Sequence, residues 1–424
     1  MLMRIKVLFC VCMLPVFAWG QNRVPHAAWF VDGAKVQSEN RSHTSLESME
    51  PGSSVIYATN GVKLILTQLR MNKTSGSIMD EDRRERGINS VLFADGASII
   101  TVENCSISSH TAMADGVTAY GEGTLIKMIG GTIVTNWNAS VGVNAQHKGE
   151  FDMRTVNVKC VDNHSFGIYA SDSGMVNVTG GEISTGGQAA PSFYASTGVI
   201  KASQSKAYSA KWTVGNVDDG LLELTGCELR SGGVSGFMIY GADGKQRTHR
   251  STGTLILNKN NITVDEGPAI FVTNACADIT LINNKISYRG DEIISIRADE
   301  WGTKGINQGD ATINVEKQTL KGDIYVDSIS SLNITLGKGA KLNGEITGNP
   351  VDTRSVKVMV NKGSTWTAKG DVYISSILFE QPLEKGLKQL KGKHVIYYDA
   401  SNLINSYLEG KEYKTGGGWL RPMK

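Results

Sequence analysis

Proline, long apolar runs and an excess of either charge are what this sequence has least of. Proline accounts for 8 of the 424 residues, whereas glycine accounts for 48. A chain with so little proline is neither collagen-like nor a proline-rich disordered segment, and its abundant glycine suits a β-rich fold with many tight turns. The formal net charge is only +2, so nothing electrostatic points to nucleic acid as a partner.

The most apolar stretch lies near the beginning of the chain and is short. Arg4 and Lys6 precede the apolar segment 7–17, and small residues follow it. These are the parts of a secretory signal peptide, so we expect residues 1–20 to be removed and the chain to be exported. The run is shorter than the ~20 residues that a membrane-spanning helix needs. We therefore expect no membrane span after cleavage, and an extracellular, cell-surface or periplasmic location in a bacterium.

Cysteine is sparse in the rest of the chain, where four thiols remain: Cys105, Cys160, Cys227 and Cys276. Neither a CxxC motif nor a cluster of histidines accompanies them, so we expect no metal site and no cofactor. Cys105 and Cys227 hold equivalent positions in the repeat described next, several coils apart, and a disulfide cannot span that distance. We expect free buried thiols at these two positions; whether any other pair bonds is left open.

A degenerate repeat of roughly 22–27 residues runs through most of the chain. Each repeat combines short strands of alternating apolar residues with a glycine or asparagine bend, as at Gly130, Gly180, Gly226 and Asn260. Such bends need a positive φ, which these residue types adopt most readily. Short parallel strands stacked coil on coil, about 4.8 Å apart, satisfy the pattern. The sequence therefore predicts an all-β fold, a single-stranded parallel β-helix (β-solenoid) of about a dozen coils.

The repeat also sets the expected division of the chain. Residues 61–380 carry it, whereas residues 21–60 and 381–424 break it and are expected to cap the open sheet ends. Two stretches, 198–219 and 241–252, look too long for a coil. We expect them to project as loops, where binding residues commonly lie.

The polar residues of these two stretches are the candidate binding residues: Asp218, Asp219, Arg247, His249 and Arg250. An adjacent acidic pair and a basic cluster with a histidine are residue types that acid–base chemistry on a glycan requires. The same residue types are also those of solvated loops. Since no complete catalytic set is present, we assign no catalytic residue.

Aromatic residues offer another way to hold a sugar, because their rings are large, rigid and amphipathic. The candidates lie on or beside predicted strands: Trp137, Trp212, Trp301, Trp366, Tyr169, Tyr194 and Tyr240. Several align with inward strand positions. Core filling and sugar stacking therefore both remain open for these rings.

Residues 60–380 resemble the pectin-lyase-like right-handed parallel β-helix superfamily, and the later part is similar to passenger domains of autotransporter adhesins. The segments that carry the likeness are GDIYVDS at 322–328, LNITL at 332–336 and GSTWTAKGD at 363–371. The resemblance implies right-handed coils. The membrane barrel of a self-contained autotransporter is not expected, since only residues 381–424 follow the last coil.

The resemblance implies two functions of different kind. We expect a secreted or cell-surface protein with an adhesin-like binding or structural role, non-catalytic, whose partner is a glycan or a host-surface ligand. The alternative is a polysaccharide lyase or glycoside hydrolase that acts in a groove along the β-helix. The ligand, the route of surface anchoring and the oligomeric state are left open.

Overall fold

The computed structural model describes residues 27–77, 86–242, 250–347 and 355–423. Strands make up 53% of the structure and helices 3%, and the strands stack as a parallel β-solenoid of about 15 coils. The predicted all-β solenoid is confirmed, with a few more coils than the dozen expected. The right-handed sense and the division of the chain stay predictions, and the expected leader at 1–20 lies outside the described residues.

Three long parallel sheets form the sides of the solenoid, and their strands are numbered along the chain. The 13 strands of sheet 1 are β1 (Ala27–Asp32), β4 (Ser54–Thr59), β7 (Leu92–Ala94), β10 (Val117–Tyr120), β13 (Val143–Gln146), β16 (Ile168–Ser171), β19 (Phe193–Ser196), β22 (Gly215–Asp218), β25 (Phe237–Tyr240), β28 (Ile270–Thr273), β31 (Glu292–Ile296), β34 (Asp323–Val326) and β37 (Ile346–Thr347). The 14 strands of sheet 2 are β2 (Ser38–Ser42), β5 (Lys63–Thr67), β8 (Ile99–Glu103), β11 (Leu125–Ile129), β14 (Glu150–Arg154), β17 (Met175–Thr179), β20 (Val199–Ser203), β23 (Leu221–Thr225), β26 (Ser251–Asn258), β29 (Ala275–Ile282), β32 (Gly309–Glu316), β35 (Ser331–Leu336), β38 (Val356–Val360) and β41 (Ser376–Phe379).

The remaining elements complete the coils and the C-terminal end. The 10 strands of sheet 3 are β3 (Ser45–Ser48), β6 (Arg70–Lys73), β9 (Ser106–Ser109), β12 (Thr132–Thr135), β15 (Asn157–Cys160), β18 (Glu182–Thr185), β21 (Lys206–Ser209), β24 (Glu228–Ser231), β27 (Asn261–Val264) and β30 (Lys285–Tyr288). Two four-stranded sheets follow, one of β33 (Thr319–Lys321), β36 (Lys341–Asn343), β39 (Thr365–Thr367) and β42 (Leu390–Lys391), the other of β40 (Val372–Ile374), β43 (Val395–Tyr398), β45 (Trp419–Pro422) and β44 (Tyr413–Lys414). The described residues also form helix α1 (Leu383–Leu387) and a 3₁₀ helix (Leu403–Leu408).

One or two left-handed residues make the sharp bend from sheet 2 to sheet 3. Gly130, Gly180 and Gly226 have φ values of 62°, 68° and 65°, as predicted. Asn260 was expected to do the same, and this is wrong, because Lys259 holds the positive φ of 57° in that coil. The Asn260 side chain instead forms hydrogen bonds inside the solenoid.

A ladder of buried side-chain amides lies just inside the bend. The Asn260 side chain accepts a hydrogen bond from the Cys227 amide at 2.8 Å and donates to the side-chain oxygen of Asn284 at 3.0 Å. Asn284 in turn donates to Gln318 at 3.2 Å. Cys227 thus occupies the equivalent position in the preceding coil, where its thiol is buried. Cys105 and Cys227 are both free and buried, as expected, and Cys160 and Cys276 are also free.

The core is one continuous column of inward side chains, and strand pairing is present from the first described strands onward. β1 already pairs with β4 and β2 with β5, so strand pairing starts within the segment expected to be a cap. In β2, Glu39 and Arg41 stand in register with the core residues Leu64 and Leu66. The Arg41 guanidinium lies 4.1 Å from the Trp29 ring. Inward charges of this kind blunt the end of a sheet.

The stretch 198–219 is not an insertion. It forms β20, β21 and β22, which pair in register with the coils on both sides. The expectation of a projecting loop there is wrong. The strands of this stretch carry Lys, Ser and Tyr at outward positions and small residues such as Ala202 and Ala207 at inward positions. Alternating small core residues satisfy the pleat as well as larger ones do, but they give a weak apolar signal.

At the C-terminal end the 3₁₀ helix takes the place of a further strand beside β41. The Ile377 amide donates to the Asn405 side chain at 3.1 Å, and the Tyr407 hydroxyl donates to the Ile377 carbonyl at 2.8 Å. These bonds occupy backbone groups of a strand that would otherwise be an open edge.

Candidate functional site

Sheet 1 differs from the other sheets in the burial of its outward side chains. In sheets 2 and 3 the outward residues are accessible, as with Lys201 and Glu182. In β19, β22, β25 and β28 of sheet 1 every residue is buried. Outward residues of a strand are enclosed only where other parts of the chain rise beside the sheet. The outer face of sheet 1 is therefore flanked by other parts of the chain, and we call this flanked face the groove.

Loops on both sides of sheet 1 enclose the groove. Phe166, in the connection before β16, packs on Tyr194 with ring centroids 5.1 Å apart. Trp301, in the connection after β31, packs on Tyr240 at 4.9 Å. The two rings approach the same face from opposite edges, so the groove has walls as well as a floor.

The floor between these walls is apolar and aromatic. The outward residues of successive strands stand in register along it. A cluster separate from the core results, made of Phe166, Tyr169, Tyr194, Met238, Tyr240, Phe271 and Trp301. We call it the aromatic cluster. Phe166, Tyr169 and Trp301 are half-buried and present ring surface to the outside.

The tyrosines of the aromatic cluster remain neutral at ordinary pH. Burial raises the pKa of Tyr240 to about 12, and burial also raises the pKa values of Tyr169 and Tyr194. The Tyr240 hydroxyl donates to the Tyr194 hydroxyl at 3.1 Å. The cluster therefore offers uncharged rings with fixed orientations, which is typical of ligand-binding surfaces.

A second aromatic row extends the same face towards the N-terminal coils. Ring centroids follow one another at 5.5 Å from Phe30 to Tyr57, 5.0 Å to Phe93, 6.3 Å to Tyr120 and 4.6 Å to His147. His147 and Tyr120 are the accessible members, while Tyr57 and Phe93 are buried. Aromatic surface thus continues along sheet 1 beyond the aromatic cluster.

Polar groups lie between the two aromatic parts. The Asp115 carboxylate accepts hydrogen bonds from the Val141 amide and from the Asn144 side chain, both at 2.8 Å. Burial is the main cause that raises the pKa of Asp115 to about 6, against these hydrogen bonds and one from Thr118. The Oδ1 atom of Asn144 is buried without a protein partner. Such an atom is normally satisfied by an ordered water or a ligand.

The structure brings three of the predicted binding residues close together, but it gives them structural contacts. Asp218, at the end of β22, is buried and accepts a hydrogen bond from the Ser251 hydroxyl at 2.9 Å. Asp219 has a φ of 58° and accepts from the Thr252 amide at 2.5 Å. Both aspartates thus tie the turn after β22 to the start of β26.

Arg250 is likewise engaged by its own chain. Its guanidinium forms an ion pair with Asp310 and donates to the Gln308 carbonyl at 2.6 Å and the Ala275 carbonyl at 3.2 Å. Arg247 and His249 lie outside the described residues, so their expected convergence with Asp218 and Asp219 stays a prediction.

Tertiary structure also separates the aromatic candidates. Trp366 is fully buried in the core, where its ring nitrogen donates to the Gly344 carbonyl at 3.0 Å. Tyr169, Tyr194, Tyr240 and Trp301 lie outside the core, on the groove. Sequence reasoning missed Phe166 and Asp115. One sequence pattern could have indicated the groove. Sheet 1 strands such as FYAS and FMIY carry apolar or aromatic residues at inward and at outward positions, which indicates burial on both faces of the sheet.

Within the described residues, no group of three or more His, Cys, Asp or Glu side chains is arranged to hold a metal ion. None of the helices described is long and apolar enough to cross a membrane. No family model, curated protein or solved structure matches the chain. The likeness to pectin-lyase-like proteins and autotransporter passengers therefore stays a prediction beyond the solenoid fold itself. The fold and the groove define the class: a parallel β-solenoid with an enclosed aromatic surface along one sheet.

Proposed function

We propose that this protein binds an extended glycan along the groove of sheet 1, in an adhesin-like, non-catalytic role outside the cell. The observation that carries the proposal is the aromatic cluster: tyrosine, phenylalanine and tryptophan rings gathered on an outward sheet face and held in place by loops on both sides. Aromatic and polar groups in a concave surface are what small-molecule and glycan ligands need.

The dimensions of the groove suit a linear ligand. From β10, which carries Tyr120, to β25, which carries Tyr240, sheet 1 advances by five coils. At about 4.8 Å per coil this is about 24 Å, long enough for several sugar units in a row. Binding that uses several coils at once also explains why rings recur on several coils of the same sheet face rather than at one isolated point.

The test is a matched pair of tyrosine variants. Tyr169 belongs to the aromatic cluster, whereas Tyr208 is a 39% exposed ring on the outer face of sheet 3. Purified protein and both alanine variants are compared by affinity electrophoresis in gels containing one polysaccharide each. We expect Tyr169→Ala to weaken binding about tenfold, a loss typical of a central aromatic contact, and Tyr208→Ala to leave binding unchanged. Equal effects of both variants, or no retardation by any glycan, would sink the proposal.

A polysaccharide lyase or glycoside hydrolase remains the second candidate, favoured by one observation. Asp172 follows β16 and Asp218 ends β22, two coils later on the same face. Their backbone positions are about 10 Å apart at the spacing of stacked strands, near the separation of about 6.5–9.5 Å between the carboxyl groups of inverting glycosidases. Against it, Asp218 is buried and hydrogen-bonded to Ser251.

The catalytic candidate is tested with the same glycans by measuring new reducing ends and unsaturated uronate absorbance together. Turnover that is lost in Asp172→Asn, but kept in Asp152→Asn on the outer face of sheet 2, would replace the binding proposal by a hydrolase or lyase. Retardation in the gel without turnover is the result we expect.

A further inference from the structure

Three cations beside the groove, among the residues that the structure describes, face carboxylates of the same chain. Lys148 Nζ lies 2.7 Å from Glu122 Oε2, and Arg297 Nη1 lies 3.7 Å from Glu292 Oε1. The guanidinium of Arg297 also stands 5.4 Å from the Phe271 ring. Arg250, as described above, is bound to Asp310 and to two carbonyls. An acidic sugar would have to compete with these partners for every one of these positive charges.

The described part of the groove also carries carboxylates other than the partners of these three cations. Asp115 and Asp218 are buried on its floor, and Asp172 stands 57% exposed at its edge, 3.6 Å from His147 Nε2. Like charges brought together in a partly enclosed surface repel one another, because less water is present to screen them. A chain of uronates laid along this face would place its carboxylates beside these aspartates.

The neutral polar groups of the groove suit hydroxyls. The outward positions beside the aromatic cluster hold the side-chain amides of Asn144 and Gln146 in β13 and of Asn216 in β22. An amide offers both donors and an acceptor, which matches a hydroxyl and gives no preference for an ionised group. Uncharged rings complete the surface.

Building on the proposed function, we infer that the groove takes an uncharged glycan and rejects polyuronates. The charge pattern of the described residues carries this inference: Lys148, Arg250 and Arg297 face carboxylates of the same chain, and further carboxylates lie beside neutral rings and amides. The mode of recognition is then ring stacking together with hydroxyl hydrogen bonds, and it depends little on ionic strength, because no ion pair forms between protein and ligand.

The experiment compares neutral polysaccharides (β-glucan, galactan, xylan and mannan) with polygalacturonate and alginate, at low and at physiological salt. We expect retardation by at least one neutral polymer, unchanged by salt and weakened about tenfold in Tyr169→Ala. Binding of a polyuronate that weakens as salt rises would overturn this inference and leave glycan binding intact. Binding of nothing in either group would overturn the proposed function as well.

A charge-reversal pair tests the reason for the rejection. Asp172→Lys places a cation at the edge of the groove, and Asp152→Lys makes the same change on the outer face of sheet 2. We expect Asp172→Lys to gain salt-sensitive retardation by polygalacturonate that exceeds that of Asp152→Lys at least threefold. An equal gain in both variants would show that the net charge of the protein, and not the groove, governs the binding of acidic glycans. The inference would then be abandoned.

Discussion

The hydroxyl of Tyr240 donates a hydrogen bond to the hydroxyl of Tyr194 over 3.1 Å, across two coils and 46 residues of sequence. This contact joins two buried rings of the aromatic cluster. Since both rings lie on the outward face of sheet 1, it stabilises the floor of the groove without belonging to the core.

Removing that hydrogen bond should loosen the fold by a small, measurable amount. For Tyr240→Phe we expect the free energy of unfolding in urea to fall by about 1 kcal/mol, the usual net value of one buried hydrogen bond. Tyr208→Phe, on the exposed face of sheet 3, should change it by less than about 0.5 kcal/mol. If the two variants unfold at the same urea concentration, the hydroxyl contact contributes nothing to stability.

The amide ladder makes a larger contribution, because its side chains form hydrogen bonds with backbone groups buried inside the solenoid. Asn284 donates to the Leu257 carbonyl at 2.8 Å and accepts from the Asn260 amide at 3.0 Å. Asn284→Ala strips both partners away inside the solenoid. We expect a loss of about 3 kcal/mol, since each unsatisfied buried group costs about 1–3 kcal/mol.

The control for the ladder is Asn177→Ala, an exposed asparagine on the outer face of sheet 2. It should unfold at the same denaturant concentration as the unmodified protein. A loss below about 0.5 kcal/mol in Asn284→Ala would mean that water replaces the ladder without penalty.

Asp115 should make stability depend on acidity in an unusual direction. Its pKa is raised from 3.8 to about 6 in the folded protein, chiefly by burial, so the folded state binds more protons than the unfolded state between these values. Stability from this group is therefore present below about pH 4 and is lost as the pH rises through 6. We expect the difference in unfolding free energy between the protein and Asp115→Asn to fall over that interval. A flat difference would show that the carboxyl is ionised throughout.

Lys73 should make the stability of the fold rise with pH in the alkaline range, which is the opposite trend to that of Asp115. Its ammonium group is buried and donates to the Glu50 carbonyl at 2.8 Å and the Ser53 carbonyl at 2.7 Å. Burial lowers its pKa from 10.5 to about 8, so the unfolded state binds more protons between these values and stability rises with pH across them.

The measurement is the unfolding free energy of the protein relative to Lys73→Met at several pH values from 7 to 11. We expect the difference to rise in favour of the unmodified protein between about pH 8 and 10.5. Lys127→Met, an exposed lysine of sheet 2, should show no such slope. An equal slope in both comparisons would assign the effect to general charge and not to Lys73.

Much of the fold was predictable because its determinants are local. Alternating Val, Ile and Leu residues indicate a strand with one inward face, and glycine marks the left-handed bend at positions such as 130 and 180. The prediction failed where a coil forms the same structure with other residue types. The coil at 198–219 uses small inward residues, and at the bend near 260 lysine takes the left-handed conformation while asparagine joins the ladder.

The groove was much less predictable, since it depends on which outward face is enclosed. Tyr169 and Trp366 read alike in sequence as ring-bearing strand residues, yet one lies on the groove and the other in the core. Asp218 and Asp219 read as an exposed acidic pair, but hydrogen bonds from Ser251 and Thr252 make them ties between coils.

By itself, the sequence determined the repeat, the parallel β-solenoid and the absence of a paired disulfide between Cys105 and Cys227, because alternation, bend chemistry and coil spacing act over a few residues. Only the tertiary structure decided that sheet 1 carries the groove. Phe166 and Trp301 reach its face from connections far apart in the chain, and no local sequence pattern shows which sheet face such connections cover. Burial within the same and neighbouring coils likewise raises the pKa of Asp115 and lowers the pKa of Lys73.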